Sequence, residues 1–429
     1  MDQASLLTPD EAQKLTHLVQ GIKDPQQMVK LAEAIFELAV LRGASDVHLE
    51  PFENEAQVRF RIDGTLQDVL ALTNDIYEKL LARMKVLANL KLDEHRQPQD
   101  GRFKGKFGEQ VVDFRVAVMP LLFGEKLAIR VLPQQAKAFS MLDLGMDERG
   151  AGEAIAQIRK PYGMILVCGP TGVGKSTTLY ALLQAVIADR GVGVNINTVE
   201  DPVEYAIPRV SQAQVSGQGL TFATALRGLL RQDADVVMVG EIRDAATAHA
   251  AVEASLTGRL LLSSLHTRDA VGAIIRLLDI GIEPYLVSSV LSLVIAQRLV
   301  RTICTSCVQT YQLDPKAYGE LEQGYNLAAV LADIEKRLPH LAPVARLPML
   351  FHGKGCDACI RSGYRGRIAV FEVLAISDAM RMLILQRASS HKLREQAIAD
   401  GMTTMFQDGF AKALSGRTTL EEVLKVTLE

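Results

Sequence analysis

Gly169, Pro170, Thr171, Gly172, Val173, Gly174, Lys175, Ser176 and Thr177 have the types and the spacing to hold a polyphosphate. They match G-x-x-x-x-G-K-[ST], the phosphate-binding loop, whose chemistry rests on backbone as much as on side chains. Gly172 and Gly174 can take angles closed to other residues. The N–H groups up to Thr177 then point at one centre, at the start of a helix, and form an anion nest. Lys175 supplies a mobile charge for the β- and γ-phosphates of ATP, and the Ser176 hydroxyl is placed to ligate Mg²⁺.

Splitting a phosphoanhydride also needs one carboxylate to orient or deprotonate water and another to hold the metal shell. Glu241 follows the apolar run 235–240 and suits the metal shell. Glu200 and Glu204, in Glu-Asp-Pro-Val-Glu after the strand-like run 195–199, compete for the water. His266 follows a third run, 260–264, and suits hydrogen bonding to the γ-phosphate; a structural histidine is the other reading. Open α/β sheets bind ligands beyond such strand ends. Arg227 and Arg231 lie four apart on one expected helix face, either facing phosphate or forming a solvated ion pair.

A second chemistry resides in Cys304-x-x-Cys307 and Cys356-x-x-Cys359. Each pair is a chelating knuckle, and four thiolates in tetrahedral array suit Zn²⁺. The 48 residues between the pairs exceed a zinc-ribbon gap, so a subdomain must fold there. Redox use of the two pairs is the weaker reading. Cys168, in the strand before the glycine-rich loop, reads as core.

These groups need elements to position them. An apolar strand, 164–168, precedes the loop and a helix, 177–186, follows it, and strand–helix alternation over 143–300 predicts a largely parallel α/β sheet. Upstream, Met28, Leu31, Ile35, Leu38 and Ala39 recur at helical spacing before Gly43. Residues 58–63, 112–118 and 126–131 alternate apolar and polar, with Asp63-Gly64 as a hairpin signal. A second amphipathic helix is expected over 76–90 and a turn at Gly101-Arg102. Residues 28–133 thus read as a small α+β domain with arginines on the non-core face of its sheet. The run 286–300 reads as a packed helix, interrupted by serines, Gln297 and Arg298, and not as a membrane span. Residues 375–429 read as helical.

The 429 residues exceed one ordinary core. Net charge is −3 and 48% of residues are hydrophobic, so no basic tract suggests a nucleic-acid footprint. No secretory signal is expected at the N-terminus.

Taken in order, the motifs resemble the secretion-superfamily hexameric ATPases, in the branch of type II secretion and type IV pilus assembly. They are 45–51, Arg61-Ile-Asp-Gly64, Gly101-Arg102, Asp113-Phe-Arg-Val116, Gly124-Glu125 with Arg130, the phosphate loop, and 198–204. Then come 226–232, Val239-Gly-Glu-Ile-Arg-Asp244, Ser264-Leu-His-Thr267, Ala296-Gln-Arg-Leu-Val300, the four cysteines and Gly363-Tyr-Arg-Gly-Arg367. The resemblance implies an N-terminal connection (1–27), a PAS-like domain (28–133), a linker (134–142), a RecA-like ATPase domain (143–300), a zinc subdomain (301–372) and C-terminal helices (373–429). It implies a homohexamer on the cytoplasmic side of a bacterial inner membrane, with ATP between the two larger domains. An inner-membrane platform protein and a cytoplasmic scaffold would be its partners, with no nucleic acid and no transmembrane segment. Glu204 becomes the base, Glu241 the Walker B carboxylate, and Arg115, Arg130, Arg227 and Arg231 the charge-stabilising set.

Departures are Arg259 for a histidine, Ala234 for a proline, Ala246 for a glutamate and Arg268 for an asparagine. None removes a phosphate or Mg²⁺ contact. The longer N-terminal docking module of many relatives is not expected here. Rival readings are a retraction motor, which the cysteines disfavour, a RecA-like nucleic-acid translocase, and a non-hydrolysing ring.

Overall fold

The computed structural model describes residues 9–20, 25–108, 110–133, 139–215, 219–341 and 347–427. Residues 134–138 of the expected linker, and 1–8 and 21–24 of the N-terminal connection, lie outside the described residues. The chain divides into two compact units, one of residues 1–137, 304–307 and 353–366, the other of 138–303, 308–352 and 367–429.

The first unit runs α1 (Pro9–Gln20), α2 (Pro25–Leu41), β1 (Asp46–Pro51), β2 (Ala56–Ile62), β3 (Thr65–Leu72), α3 (Asn74–Leu87), β4 (Gln99–Phe107), β5 (Gln110–Leu121) and β6 (Gly124–Pro133). Its six strands pair antiparallel in the order β3-β2-β1-β6-β5-β4. Val112, Phe114, Val116 and Val118 of β5 and Leu127, Ile129 and Val131 of β6 are buried in one core with the apolar stripe of α2. Alternation across a strand forces their neighbours, the arginines, to the opposite face. Phe36, Phe103 and Phe114 meet at centroid distances of 4.7–5.2 Å. Truncating such a ring costs about 3–5 kcal/mol. Gly101-Arg102 is not the expected turn, for both residues lie inside β4, opposite Val116 and Arg115. A Cβ on Gly101 would sit 2.5 Å from the Ala88 carbonyl oxygen, so the glycine serves close approach of backbone to backbone.

The second unit continues with α4 (Glu148–Ile158), β7 (Gly163–Cys168), α5 (Lys175–Arg190), β8 (Ile196–Glu200), β9 (Val210–Gln214), α6 (Phe222–Leu229), β10 (Val236–Val239), α7 (Ala245–Leu256), β11 (Leu260–Leu265), α8 (Ala270–Asp279), α9 (Pro284–Val290) and β12 (Leu291–Ile303). Beyond them lie β13 (Val308–Gln312), α10 (Pro315–Tyr325), α11 (Leu327–Arg337), β14 (Met349–Gly353), β15 (Tyr364–Ala375), α12 (Asp378–Leu385), α13 (Ser390–Ala399), α14 (Met405–Leu414) and α15 (Leu420–Thr427). The main sheet has the order β15-β12-β7-β11-β10-β8-β9, with β12 through β9 paired parallel. Between the cysteine pairs, β13, α10, α11 and β14 pack Leu321, Leu327, Val330 and Ile334 against Phe406 and Phe410 of α14.

The helix expected over 286–300 is a correction: only its start lies in α9, and the rest is β12, paired parallel with β7. Leu291, Val294 and Ala296 enter the core on one face of the sheet, Leu293 and Ile295 that on the other. A strand covered on both faces is a continuous apolar run, which periodicity cannot tell from a buried helix. Among the described residues no helix is long and apolar enough to cross a membrane.

Candidate active site

The β7 residues are all buried, and α5 begins at Lys175 with Gly174 before it in the left-handed region. Gly172 and Gly174 have φ of 82° and 87°, which permits the nest of N–H groups. Lys175 Nζ folds back onto the carbonyl oxygens of Gly169 and Pro170, each at 2.8 Å. Burial lowers the pKa of this ammonium, and the Glu241 carboxylate acts in the opposite sense. Ser176 is exposed on the first turn of α5.

A residue outside the motif braces the loop. Gln297 of β12 donates Nε2–H to the Val173 carbonyl at 2.6 Å and accepts from the Thr178 hydroxyl at 2.7 Å. Sequence reasoning placed Gln297 on a helix and gave it no task. A lone buried amide within an apolar run was the available signal.

The polar residues expected beyond strand ends follow β8, β10 and β11, and these lie side by side with β7 in the parallel order β7-β11-β10-β8. Asp244 and Asp269 accept the N–H of Thr247 and Gly272 at 2.8 and 2.7 Å and cap α7 and α8, which ends each loop sharply. Between these caps and their strands, His266 Nε2 meets Glu241 Oε2 at 3.1 Å and Arg243 reaches Glu241 Oε1 at 2.6 Å.

The two candidate bases differ. Glu200 is buried, and its Oε1 accepts from the Thr198 hydroxyl at 2.5 Å and Gln212 Nε2 at 3.0 Å. Its Oε2 accepts from the Tyr180 hydroxyl, which burial and Glu200 together keep protonated. That hydroxyl also accepts the Glu204 N–H at 3.3 Å, so the fully engaged Glu200 positions the Glu204 backbone. Tyr180 and Gln212 come from separate elements and carried no sequence signal.

Arg227 lies in the last turn of α6, but the helix ends at Leu229; Arg231 is beyond it, so the expected common helix face is incomplete. Both are exposed. Arg259 donates to the carbonyls of Ala234, Thr257 and Leu230, a cation at the C-terminal end of α6.

In the first unit, register assembles what spacing did not reveal. Arg102 faces Arg115, Arg115 faces Arg130, Arg130 faces Asp46 and Asp46 faces Arg61. Arg130 Nε lies 3.4 Å from Asp46 Oδ1 and Arg61 Nε 3.8 Å from Oδ2. Four arginines thus lie in one row, two of them against the Asp46 carboxylate.

The sulfurs of Cys304, Cys307, Cys356 and Cys359 lie within 4.8 Å of one another. Cys304–Cys356, Cys307–Cys359 and Cys356–Cys359 are separated by 3.9, 3.8 and 3.8 Å. A tetrahedral ion with Zn–S of about 2.3 Å needs sulfurs about 3.8 Å apart, so the donor set fits. Burial opposes thiolate at Cys359, yet N–H donors from Cys356 and Gly363 outweigh it and lower that pKa to about 7. Gly355 donates likewise to Cys307.

Known proteins resemble the chain over most of its length. The family model described as Type II/IV secretion system protein matches residues 22–425. The chain is similar to the type II secretion system protein E of Pseudomonas aeruginosa, 44% identical over 95% of this chain and 77% of that one. It is also similar to the type IV pilus assembly ATPase PilB of Myxococcus xanthus, 41% identical over 97% of this chain and 71% of that one. Among solved structures, the pilus retraction motor PilT with bound ADP aligns over 93% of this chain and 97% of its own, with a TM-score of 0.60 and 26% identity.

Proposed function

Because the chain belongs to the type II/IV secretion system protein family, we propose that it is an ATP-hydrolysing motor for type IV pilus assembly or type II protein secretion. It works as a homohexamer at the cytoplasmic face of a bacterial inner membrane, docked on a platform protein and a cytoplasmic scaffold. The observation that supports this reading best is the row of strand ends: phosphate loop, His266, Glu241 and the Glu200–Glu204 segment follow four adjacent parallel strands.

The 28–133 and 143–300 domains and the zinc subdomain, 301–372, keep the roles that the family pattern gives them. The loop N–H groups and Lys175 bind the phosphates of ATP. Ser176 and Glu241 hold Mg²⁺, which screens phosphate charge when bound. His266, oriented by Glu241, donates a hydrogen bond toward the γ-phosphate. Glu204 takes the proton of the attacking water, since the Glu200 oxygens are engaged by Tyr180, Thr198 and Gln212. Arg115, Arg130, Arg227 and Arg231 neutralise charge on the γ-phosphate. The four cysteines hold Zn²⁺ as a structural ion.

Glu204→Gln should retain ATP and hydrolyse it slowly, because the binding groups remain while the water loses its base. Glu200→Gln should loosen the segment and weaken turnover less. Normal turnover in Glu204→Gln together with inactive Glu200→Gln would reverse the assignment. Recovery of a pilus or secretion platform protein with the purified hexamer tests the choice of machine; stimulation of hydrolysis by DNA instead would favour the translocase.

A further inference from the structure

On the face of the main sheet opposite α5 lies a cavity of about 620 Å³, within the size of small-molecule sites. Side chains alternate across a strand, so Gln297 and Arg298 leave β12 on opposite faces, although Arg298 Nη1 comes within 3.7 Å of where a Cβ on Gly169 would stand. None of residues 169–177 lines the cavity. Its wall comes from β12, β15, the start of α8, α13, α14 and the junction of α10 with α11.

Arg298 lines it, is 8% exposed, and has a buried Nε–H without a hydrogen-bond partner among the described residues. A buried guanidinium donor left unmatched is costly and points to an absent acceptor. The acids nearby are already engaged. Asp269 pairs with Arg394 at 2.6 Å, and Glu372 accepts the N–H of Ala270 at 3.1 Å and Met405 at 3.3 Å, with Arg394 at 3.7 Å. With Arg268, three guanidinium groups face two carboxylates, and the cavity carries net positive charge. Tyr325 and Phe406, stacked at 3.8 Å, form part of the same wall. Guanidinium forks recognise phosphate, and an aromatic wall accepts a planar ring.

We propose that this cavity binds a small phosphate-bearing ligand with a planar base, of the nucleotide monophosphate class, as an effector separate from the ATP that the loop holds. Residues 325–330 reach it from the segment between the cysteine pairs, so the ligand would tie α10 and α11 to α14 and to the strand that braces the loop.

The test uses the full chain saturated with Mg²⁺ and AMP-PNP, so that the phosphate loop is occupied. AMP and pyrophosphate are then titrated separately by calorimetry. One AMP should bind per chain, and Arg298→Ala should weaken it at least tenfold. Ala329→Trp, which fills the cavity from an exposed position on α11, should do the same while basal ATP turnover stays at its wild-type rate. No saturable AMP site overturns the proposal. So does AMP binding that both variants leave intact, or that Lys175→Ala abolishes while Arg298→Ala does not. Pyrophosphate binding without AMP binding would overturn the nucleotide class.

Discussion

The phosphate loop and the arginine row, both proposed to meet an anion, are built on opposite plans. The loop uses neutral backbone donors, one lysine and three glycines at positive φ. Its cost is conformational, and it lies within nine consecutive residues. The row uses whole charges brought together by strand register, Arg102, Arg115, Arg130 and Arg61 around Asp46. Its cost is electrostatic, since like charges directly opposite in a sheet destabilise it. A loop of this kind is preorganised for a ligand that stays through binding and chemistry. A row of mutually repelling guanidinium groups gains most when negative charge is concentrated, as on a γ-phosphate in the transition state.

The cysteine cluster is the reverse case, four potential anions within 4.8 Å of one another, a set suited to one cation. Like the row, it joins residues distant in sequence. Like the loop, it is supported by backbone N–H donors.

The largest expected effect falls on the loop. Lys175→Ala should remove hydrolysis, on the order of a 10²-fold loss or more, and weaken ATP binding with it, because the lysine serves ground state and transition state alike. Titration of a fluorescent ATP analogue beside a phosphate-release assay separates the two. Loss of turnover with undiminished binding would remove the lysine from the binding half of the contrast.

The row should separate what the loop combines. Arg115→Ala and Arg130→Ala are each expected to cut turnover by about 10-fold or more while ATP affinity falls much less. If the arginines only brace their own sheet, thermal stability drops and turnover per folded chain is unchanged. That outcome would end the functional reading of the row.

The cluster is expected to hold about one Zn²⁺ per chain, as a closed four-sulfur site does. Cys304→Ser should release the metal and raise proteolytic cleavage around both knuckles, while AMP-PNP binding at the loop is retained, because structural metal contributes to the folding of its own small region. Native protein free of zinc, with all four thiols reactive toward a thiol reagent, would show that the sulfurs are no metal site.

Legibility followed the distance along the chain over which each feature is assembled. The loop, the cysteine knuckles and the alternating strands of the first unit are local patterns and could be read directly. Alternation placed Arg115 and Arg130 off the core face, but only register put Arg102 and Arg61 in their row. Tyr180 and Gln212, which saturate Glu200, come from a helix and an edge strand, so the sequence left Glu200 and Glu204 as equals. The strand β12 was hidden because burial on both faces erases alternation, and with it went the roles of Gln297 and Arg298. Gly101 read as a turn because a glycine needed for close approach looks in sequence like one needed for a bend.

The smallest effect comes from a carboxylate that the fold holds between two cations. Glu422 Oε1 accepts from Arg301 Nη2 at 2.7 Å and from Lys425 Nζ at 2.8 Å, and its Oε2 accepts the Arg301 N–H at 3.1 Å. Burial alone would raise this carboxyl, but the three bonds outweigh it and hold its pKa at about 2, against an ordinary 4.5. The folded state therefore binds its proton less readily than the unfolded chain does. The stabilisation is fully present above the unfolded value and is lost as pH falls through the folded one. Glu422→Gln should lower the melting temperature at neutral pH, and the gap from wild type should narrow at about pH 3 and close near pH 2. A gap that stayed constant down to about pH 2 would show that the Glu422 carboxylate does not carry this stability.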